Sequence, residues 1–281
     1  AIPNNKMPVA STLLVTVVTR DFHYIVSQPS GRPTYPASFG KIDSDNKFPW
    51  AVALLVGEDK LFACSGSLIH AEIVLTSAHC PGDYIRLQQA LEGEYRKVLN
   101  IIRHKDYKGS CNDIALYKVE RSALEHYARL SSSDHFSLIG LEAFSAGFGI
   151  TKLYDLYYIM ENDSVNDSLK YCSGVIEKCP PQLGEYTYSC LFRKCKETGI
   201  AAGGDSGGPI IHDGKVIGTN SAIVELPSKQ GSRLNSILVM FTPISPYLNW
   251  IQKNIAKLIN ASLPSHFVLP IDNYSKKVGR Y

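Results

Sequence analysis

The sequence predicts an all-β protein that ends in one α-helix. Short apolar or β-branched runs at Trp50–Val56, Ser67–Ile69, Ile73–Thr76, Ile114–Val119 and Val216–Gly218 are separated by Gly, Asp or Asn. Many short strands with such turns make a sandwich or barrel. Helical spacing is confined to a segment near the C-terminus, and no internal repeat is visible. With 44% hydrophobic and 20% charged residues, the 281-residue chain can build a core, which excludes a disordered or collagen-like protein.

Along the chain, residues 1–36 carry five of the fifteen prolines and no cysteine, and read as an N-terminal tail or pro-segment. Within it, Val9–Val18 is β-prone but interrupted by Ser11, Thr12 and Thr16, too short to span a bilayer. Near the end, Pro246, Tyr247, Leu248, Trp250, Ile251, Ile255, Leu258 and Ile259 recur at helical spacing. Ser245 stands as N-cap before Pro246 at the first helical position. This predicts an amphipathic helix docked by its Trp250/Ile251 face. Residues 261–281, with two prolines and the basic Lys276, Lys277 and Arg280, read as a C-terminal tail.

The charge balance, 29 − 26 = +3, demands neither nucleic acid nor an anionic membrane as a partner. Seven cysteines, an odd number, leave at least one outside intrachain bridges. No CxxC or paired Cys/His spacing marks a metal site, and no cofactor motif is present. Four Asn-x-Ser sequons, at Asn162, Asn166, Asn260 and Asn273, join the cysteines in favouring glycosylation and an extracellular, secreted protein.

Three strings carry chemistry: Leu75-Thr76-Ser77-Ala78-His79-Cys80, Asn112-Asp113-Ile114-Ala115-Leu116 and Gly203-Gly204-Asp205-Ser206-Gly207-Gly208-Pro209. A serine hydroxyl needs an adjacent base to become a nucleophile. Histidine is suited to that task, and a buried carboxylate fixes its tautomer and stabilises the imidazolium. Glycines around Ser206 let backbone N–H groups aim at a developing oxyanion. Any one string alone could be structural; the order His, Asp, Ser makes them a constellation.

On these strings the chain resembles the trypsin/chymotrypsin family of serine proteases, from about Phe48 to Ile251. Supporting segments are Phe48-Pro49-Trp50, Cys64-Ser65-Gly66-Ser67-Leu68-Ile69 and Ala146-Gly147-Phe148-Gly149, the last with Phe148 where the family has Trp. The resemblance implies two six-stranded antiparallel β-barrels with a C-terminal α-helix, a protease domain over residues 37–260, and a site in the cleft between the barrels. It implies His79 as general base, Asp113 as its orienting carboxylate, Ser206 as nucleophile, and the N–H groups of Gly204 and Ser206 as oxyanion hole. It further implies a Cys64–Cys80 disulfide and a Cys172–Cys190 bridge, leaving Cys111, Cys179 and Cys195 unassigned.

Departures from the family pattern shape the expected activity. His79 and Asp113 are 34 residues apart, a short spacing. Ala202 replaces a family cysteine beside the substrate pocket. Ser221 matches a serine that supports the triad aspartate, but Ala222 and Ile223 replace the Trp and Gly that follow it. Ile200 falls at the pocket base, where an acid would be needed to pair a Lys or Arg cation. Ile223 and Val239 fall where the pocket walls are usually glycine. These substitutions predict cleavage after small aliphatic residues rather than Lys or Arg, unless the Glu225 carboxylate reaches the pocket rim. In the family a new N-terminal ammonium pairs with the Asp before the nucleophile, here Asp205. Ala37-Ser38-Phe39-Gly40 matches that terminus poorly and follows Pro36, and an Ile42 terminus would have a short arm. Conventional cleavage is therefore not expected to serve Asp205.

Two functions from different classes fit. One is a secreted serine endopeptidase acting on protein or peptide substrates, with protein protease inhibitors as further partners. The other is a protease-like binding or regulatory protein with weak or no proteolysis. A Gly-x-Ser-x-Gly esterase elbow belongs to alternating α/β sequence and does not fit this all-β texture.

Overall fold

The computed structural model of the protein describes residues 14–19, 22–27 and 40–259, apart from 88–94, 110, 125, 150–167, 184–187, 194–204 and 227–235. Residues 1–37 form a unit of their own. In it β1 (Leu14–Thr19) pairs antiparallel with β2 (Phe22–Ser27), so strand structure occupies part of the segment that the sequence suggested was a tail.

The rest is built from two antiparallel barrels. The first comprises β4 (Ala51–Val56), β5 (Leu61–His70), β6 (Ile73–Thr76), β7 (Tyr84–Leu87), β8 (Tyr95–Arg103) and β9 (Ala115–Val119). They close in the order β4-β5-β6-β9-β8-β7. Val52, Leu54, Leu68, Ile73, Leu75, Ile85 and Leu116 fill its interior without measurable exposure. Each such side chain contributes about 2 kcal/mol of transfer free energy.

The second barrel comprises β10 (Glu142–Gly147), β11 (Lys170–Lys178), β12 (Ser189–Arg193), β13 (Pro209–His212), β14 (Lys215–Leu226) and β15 (Ser236–Pro243). The sheet runs β10-β13-β14-β15-β12-β11, and pairing of β10 with β11 closes it. The short β3 (Lys41–Ile42) adds to β11 through Ile42↔Lys170 and Lys41↔Tyr171. Ile176, Leu191, Ile210, Ile217, Val239 and Phe241 pack in its core. The expected fold of two six-stranded barrels and a final helix is the one found.

α1 (Leu248–Ile259) buries Ile251, Asn254, Ile255 and Leu258, while Trp250 is only partly covered, with its ring 5.3 Å from that of His104. The expected Ser245 cap is replaced by another arrangement. Ser245–Tyr247 forms a 3-10 turn whose cap position is Ile244, with no side-chain cap bond. The Ser245 hydroxyl oxygen instead accepts the His135 N–H at 3.3 Å.

The disulfide assignment divides. Cys64–Cys80 is bonded as expected, but the partner of Cys190 is Cys179, not Cys172. Strand register explains the correction. Cys190 lies opposite Glu177, which puts Cys179 just past the end of β11 beside it. Cys172 lies near the other end of that strand, opposite Ser145 of β10. Five residues of strand amount to about 17 Å, far beyond disulfide reach. No helix among the described residues is long and apolar enough to cross a membrane.

Candidate active site

His79 follows β6 in a turn tied to the first barrel by the Cys64–Cys80 disulfide, and Asp113 stands just before β9. Since β6 pairs with β9 through Thr76↔Ala115, the two residues emerge side by side from neighbouring strands. The His79 backbone N–H donates to Asp113 Oδ1 at 3.0 Å, and its ring Nδ1 lies 2.7 Å from Oδ2. Asp113 is 1% exposed and the His79 side chain 13%. A carboxylate accepts, so it draws the ring proton to Nδ1 and leaves a lone pair on Nε2, the atom able to take a proton from elsewhere.

A third donor comes from the second barrel: Ser221 Oγ donates to Asp113 Oδ2 at 2.6 Å. Thus the expected supporting serine is a partner of the carboxylate, reached across the interface between the barrels. The following Ala222 is half-buried, and Ile223 is 36% exposed. Ile223 lies opposite Val239 in the β14–β15 ladder. Val239 itself is buried in the second core with Leu191 and Phe241.

Ser206 sits in a turn leading into β13. Its carbonyl accepts the Ser65 N–H from β5 at 2.8 Å, while the next N–H, of Gly207, donates to the Asn220 carbonyl at 2.7 Å. That same Asn220 carbonyl accepts the hydroxyl of Ser77, two residues before His79, at 2.7 Å. The turn of the histidine and the turn of the serine are therefore fastened to one oxygen atom. Gly207 adopts φ +74°, and a Cβ there would lie 2.0 Å from Thr76 Oγ1 and 2.5 Å from the Ser65 carbonyl oxygen. Only glycine fits both the dihedral and the space.

Asp205 anchors the turn from the other side. Its carbonyl accepts the Gly208 N–H at 2.9 Å and Asn220 Nδ2 at 3.2 Å. Its Oδ1 accepts the Gly149 N–H at 2.9 Å. Phe148, in the place of the family's Trp, is buried and donates its N–H to Ser65 Oγ at 3.0 Å. Ser65, Thr76, Ser77 and Asn220, which sequence reasoning missed, are the polar fasteners of the site. Their signal was faint: three small hydroxyl residues, in or just after apolar strands, and one amide inside a strand, all buried and hydrogen-bonded.

Among the described residues, the His/Cys/acid group compact enough for a metal is Cys64, His79 and Cys80. The two sulfurs are joined in the disulfide and offer no thiolate pair. Cys111 is outside any disulfide. Gly204 and Ile200, Cys195, the side chain of Glu225 and the sequon residues Asn162, Asn166, Asn260 and Asn273 lie outside the described residues.

Residues 38–251 match the protein family described as Trypsin. The chain is 31% identical over 229 residues to the bradykinin-releasing enzyme KR-E-1 of Gloydius ussuriensis, covering 72% of this chain and 90% of that protein. It is 28% identical over 225 residues to the trypsin of Sus scrofa, covering 75% and 92%. It is 27% identical over 237 residues to the serine protease SP24D of Anopheles gambiae, covering 78% and 80%.

Proposed function

The chain belongs to the trypsin family of serine-type endopeptidases, and on that premise we propose that it hydrolyses peptide bonds through an acyl-enzyme on Ser206. His79 Nε2 takes the Ser206 proton as Oγ attacks the scissile carbonyl, and returns it to the leaving amine. Asp113 holds the ring in the tautomer that makes this direction of transfer available and stabilises the imidazolium. The N–H groups of Gly204 and Ser206 receive the oxyanion, the largest electrostatic contribution to such a reaction. Water then repeats the sequence on the ester.

The observation that carries this reading is the shared fastening of the two turns. Ser77 Oγ and the Gly207 N–H both donate to the Asn220 carbonyl, and the next residue, Ser221, donates to Asp113.

The substrate pocket is proposed to take small aliphatic side chains. Ile223 and Val239 are cross-strand partners at positions the family usually keeps as glycine. Branched side chains there narrow the entrance, and Ile200 supplies no charge for a Lys or Arg cation. The protein is further proposed to be secreted and glycosylated at its sequons, in keeping with the Cys64–Cys80 and Cys179–Cys190 disulfides.

The test is to label the purified protein with a fluorophosphonate and map the adduct by mass spectrometry. Labelling on Ser206, abolished in a folded Ser206→Ala variant, is the expected result; absence of any adduct favours the binding-protein alternative. Peptide-library profiling then reads specificity, with dominant cleavage after Lys or Arg overturning the pocket assignment.

A further inference from the structure

Asp205 carries a carboxylate that the catalytic steps above do not use. It packs against Gly147: a Cβ built there would lie 2.3 Å from Asp205 Oδ1 and 2.9 Å from its Cγ. Gly147 ends β10, and its register partner is Lys170, the first residue of β11. Directly opposed residues of an antiparallel pair project to the same face of the sheet. The Lys170 side chain therefore leaves the ladder on the face that the Asp205 carboxylate occupies. Its Nζ is buried and has no hydrogen-bond partner among the described residues. A buried ammonium without a donor–acceptor bond needs an opposite charge nearby. The Asp205 carboxylate lies on that face; burial pushes the Lys170 ammonium below the ordinary lysine value, and the Asp205 charge pushes it back up.

We propose that Lys170 is a positioning residue, the internal cation that holds the Asp205 carboxylate and thereby the turn presenting Ser206, so that the site is organised in the uncleaved chain. The inference rests on Ser206 being the nucleophile. It gives Asp205 a counter-charge from within the barrel, where Ala37-Ser38-Phe39-Gly40 offers a poor terminus for that purpose. The effect is transmitted along the backbone: the Asp205 carbonyl accepts from Gly208 and Asn220, so displacing its carboxylate would turn the peptides flanking Ser206.

The experiment uses the full chain, shown uncleaved by intact mass, with fluorophosphonate–biotin as the probe and the inactivation rate constant and inhibition constant read separately. Wild type is expected to label at Ser206 without cleavage. Lys170→Met is expected to lose about 100-fold in the inactivation rate constant, as for loss of an oxyanion donor, with the inhibition constant little changed. Lys170→Arg, which keeps the charge, is expected to restore most of the rate. Adding Asp205→Asn to Lys170→Met should cost little more than either alone, because the two charges act as one unit. Should Lys170→Met fail to fold, Lys170→Gln against Lys170→Arg makes the same comparison. Equal labelling of the neutral and charged variants, additive losses in the double variant, or labelling only after chain cleavage each overturns the proposal and leaves Ser206 as nucleophile. No labelling of the wild type, cleaved or not, overturns both.

Discussion

Two aspartates serve the candidate site, and the two barrels treat them differently. Asp113, from the first barrel, is buried to 1% exposure and met by neutral or hydrogen-bonding donors: the His79 N–H, its imidazole and the Ser221 hydroxyl. Asp205, from the second, is partly exposed, accepts the backbone N–H of Gly149, and is the group we propose Lys170 holds by its charge. Hydrogen bonds fix direction and fail when geometry shifts by a fraction of an ångström. A charge pairing acts over a longer range and fails when the charge is removed. The carboxylate that must aim a ring is thus held by direction, and the one that must hold a turn is held by charge.

The largest test of this contrast is Asp113→Asn. The amide keeps the size but presents N–H to atoms that are themselves donors, so the ring loses its tautomer. A fall in kcat of about 10^4-fold with an unchanged circular-dichroism melt is expected. A loss under tenfold would break the claim that direction matters at Asp113. Gly207→Ala comes next, since it strains the turn that Asp205 supports. Left-handed backbone on a non-glycine residue, together with the approach of Thr76 Oγ1, should cost about 3 kcal/mol in urea unfolding. A stability change near zero would mean that the turn relaxes without loss.

Ser221→Ala is a smaller perturbation. It removes one of three donors and leaves the His79 contacts, so kcat/KM should fall about tenfold while KM holds. An effect as large as that of Asp113→Asn would shift the burden of orientation onto Ser221. The smallest effect concerns protonation away from both carboxylates. Burial holds His70, His104 and His135 below the ordinary histidine value of 6.5. The unfolded chain then binds more protons than the folded one, so their contribution to stability is present above pH 6.5 and is lost as pH falls through the lowered values. Melting temperature should drop on acidification from neutrality, and His104→Phe should flatten part of that slope. A melt that rises on acidification would contradict the burial of these rings.

Part of the first barrel was legible in the sequence because β4 and β6 are nearly unbroken apolar runs, whereas the charged β7 and β8 were unmarked. Ile73–Thr76 was placed to the residue, and Ala51–Val56 began one residue late. Strands of the second barrel were harder to read. β14 extends from Lys215 to Leu226, whereas only Val216–Gly218 was marked, since Thr219, Asn220 and Ser221 look like a turn. They remain in the strand because Asn220 and Ser221 spend their polar groups on the site, and a register shift between Asn220 and Ala222 turns Ser221 toward Asp113. β11 was unmarked: Gly174 breaks its pattern, and it is there because a Cβ would lie 2.5 Å from the Phe192 carbonyl oxygen. Lys170 gave no signal at all. A lysine at the start of a strand reads as a solvated edge, and only the register with Gly147 shows where it points.

The fastening of two turns to Asn220 also bears on the order in which the protein comes into being. Synthesis proceeds from the N-terminus and domains fold as units, so the first barrel can be complete while the second is still being made. At that stage His79 and Asp113 exist, but the serine does not. The contacts that unite them, Ser77 with Asn220 and Ser221 with Asp113, span 143 and 108 residues of sequence. Pairings of such separation form late and slowly. On the proposed roles, a nascent chain therefore carries a base and its orienting carboxylate with no nucleophile to activate, and reactivity arises only when the last strands have closed and the cell has finished handling it as a linear polymer.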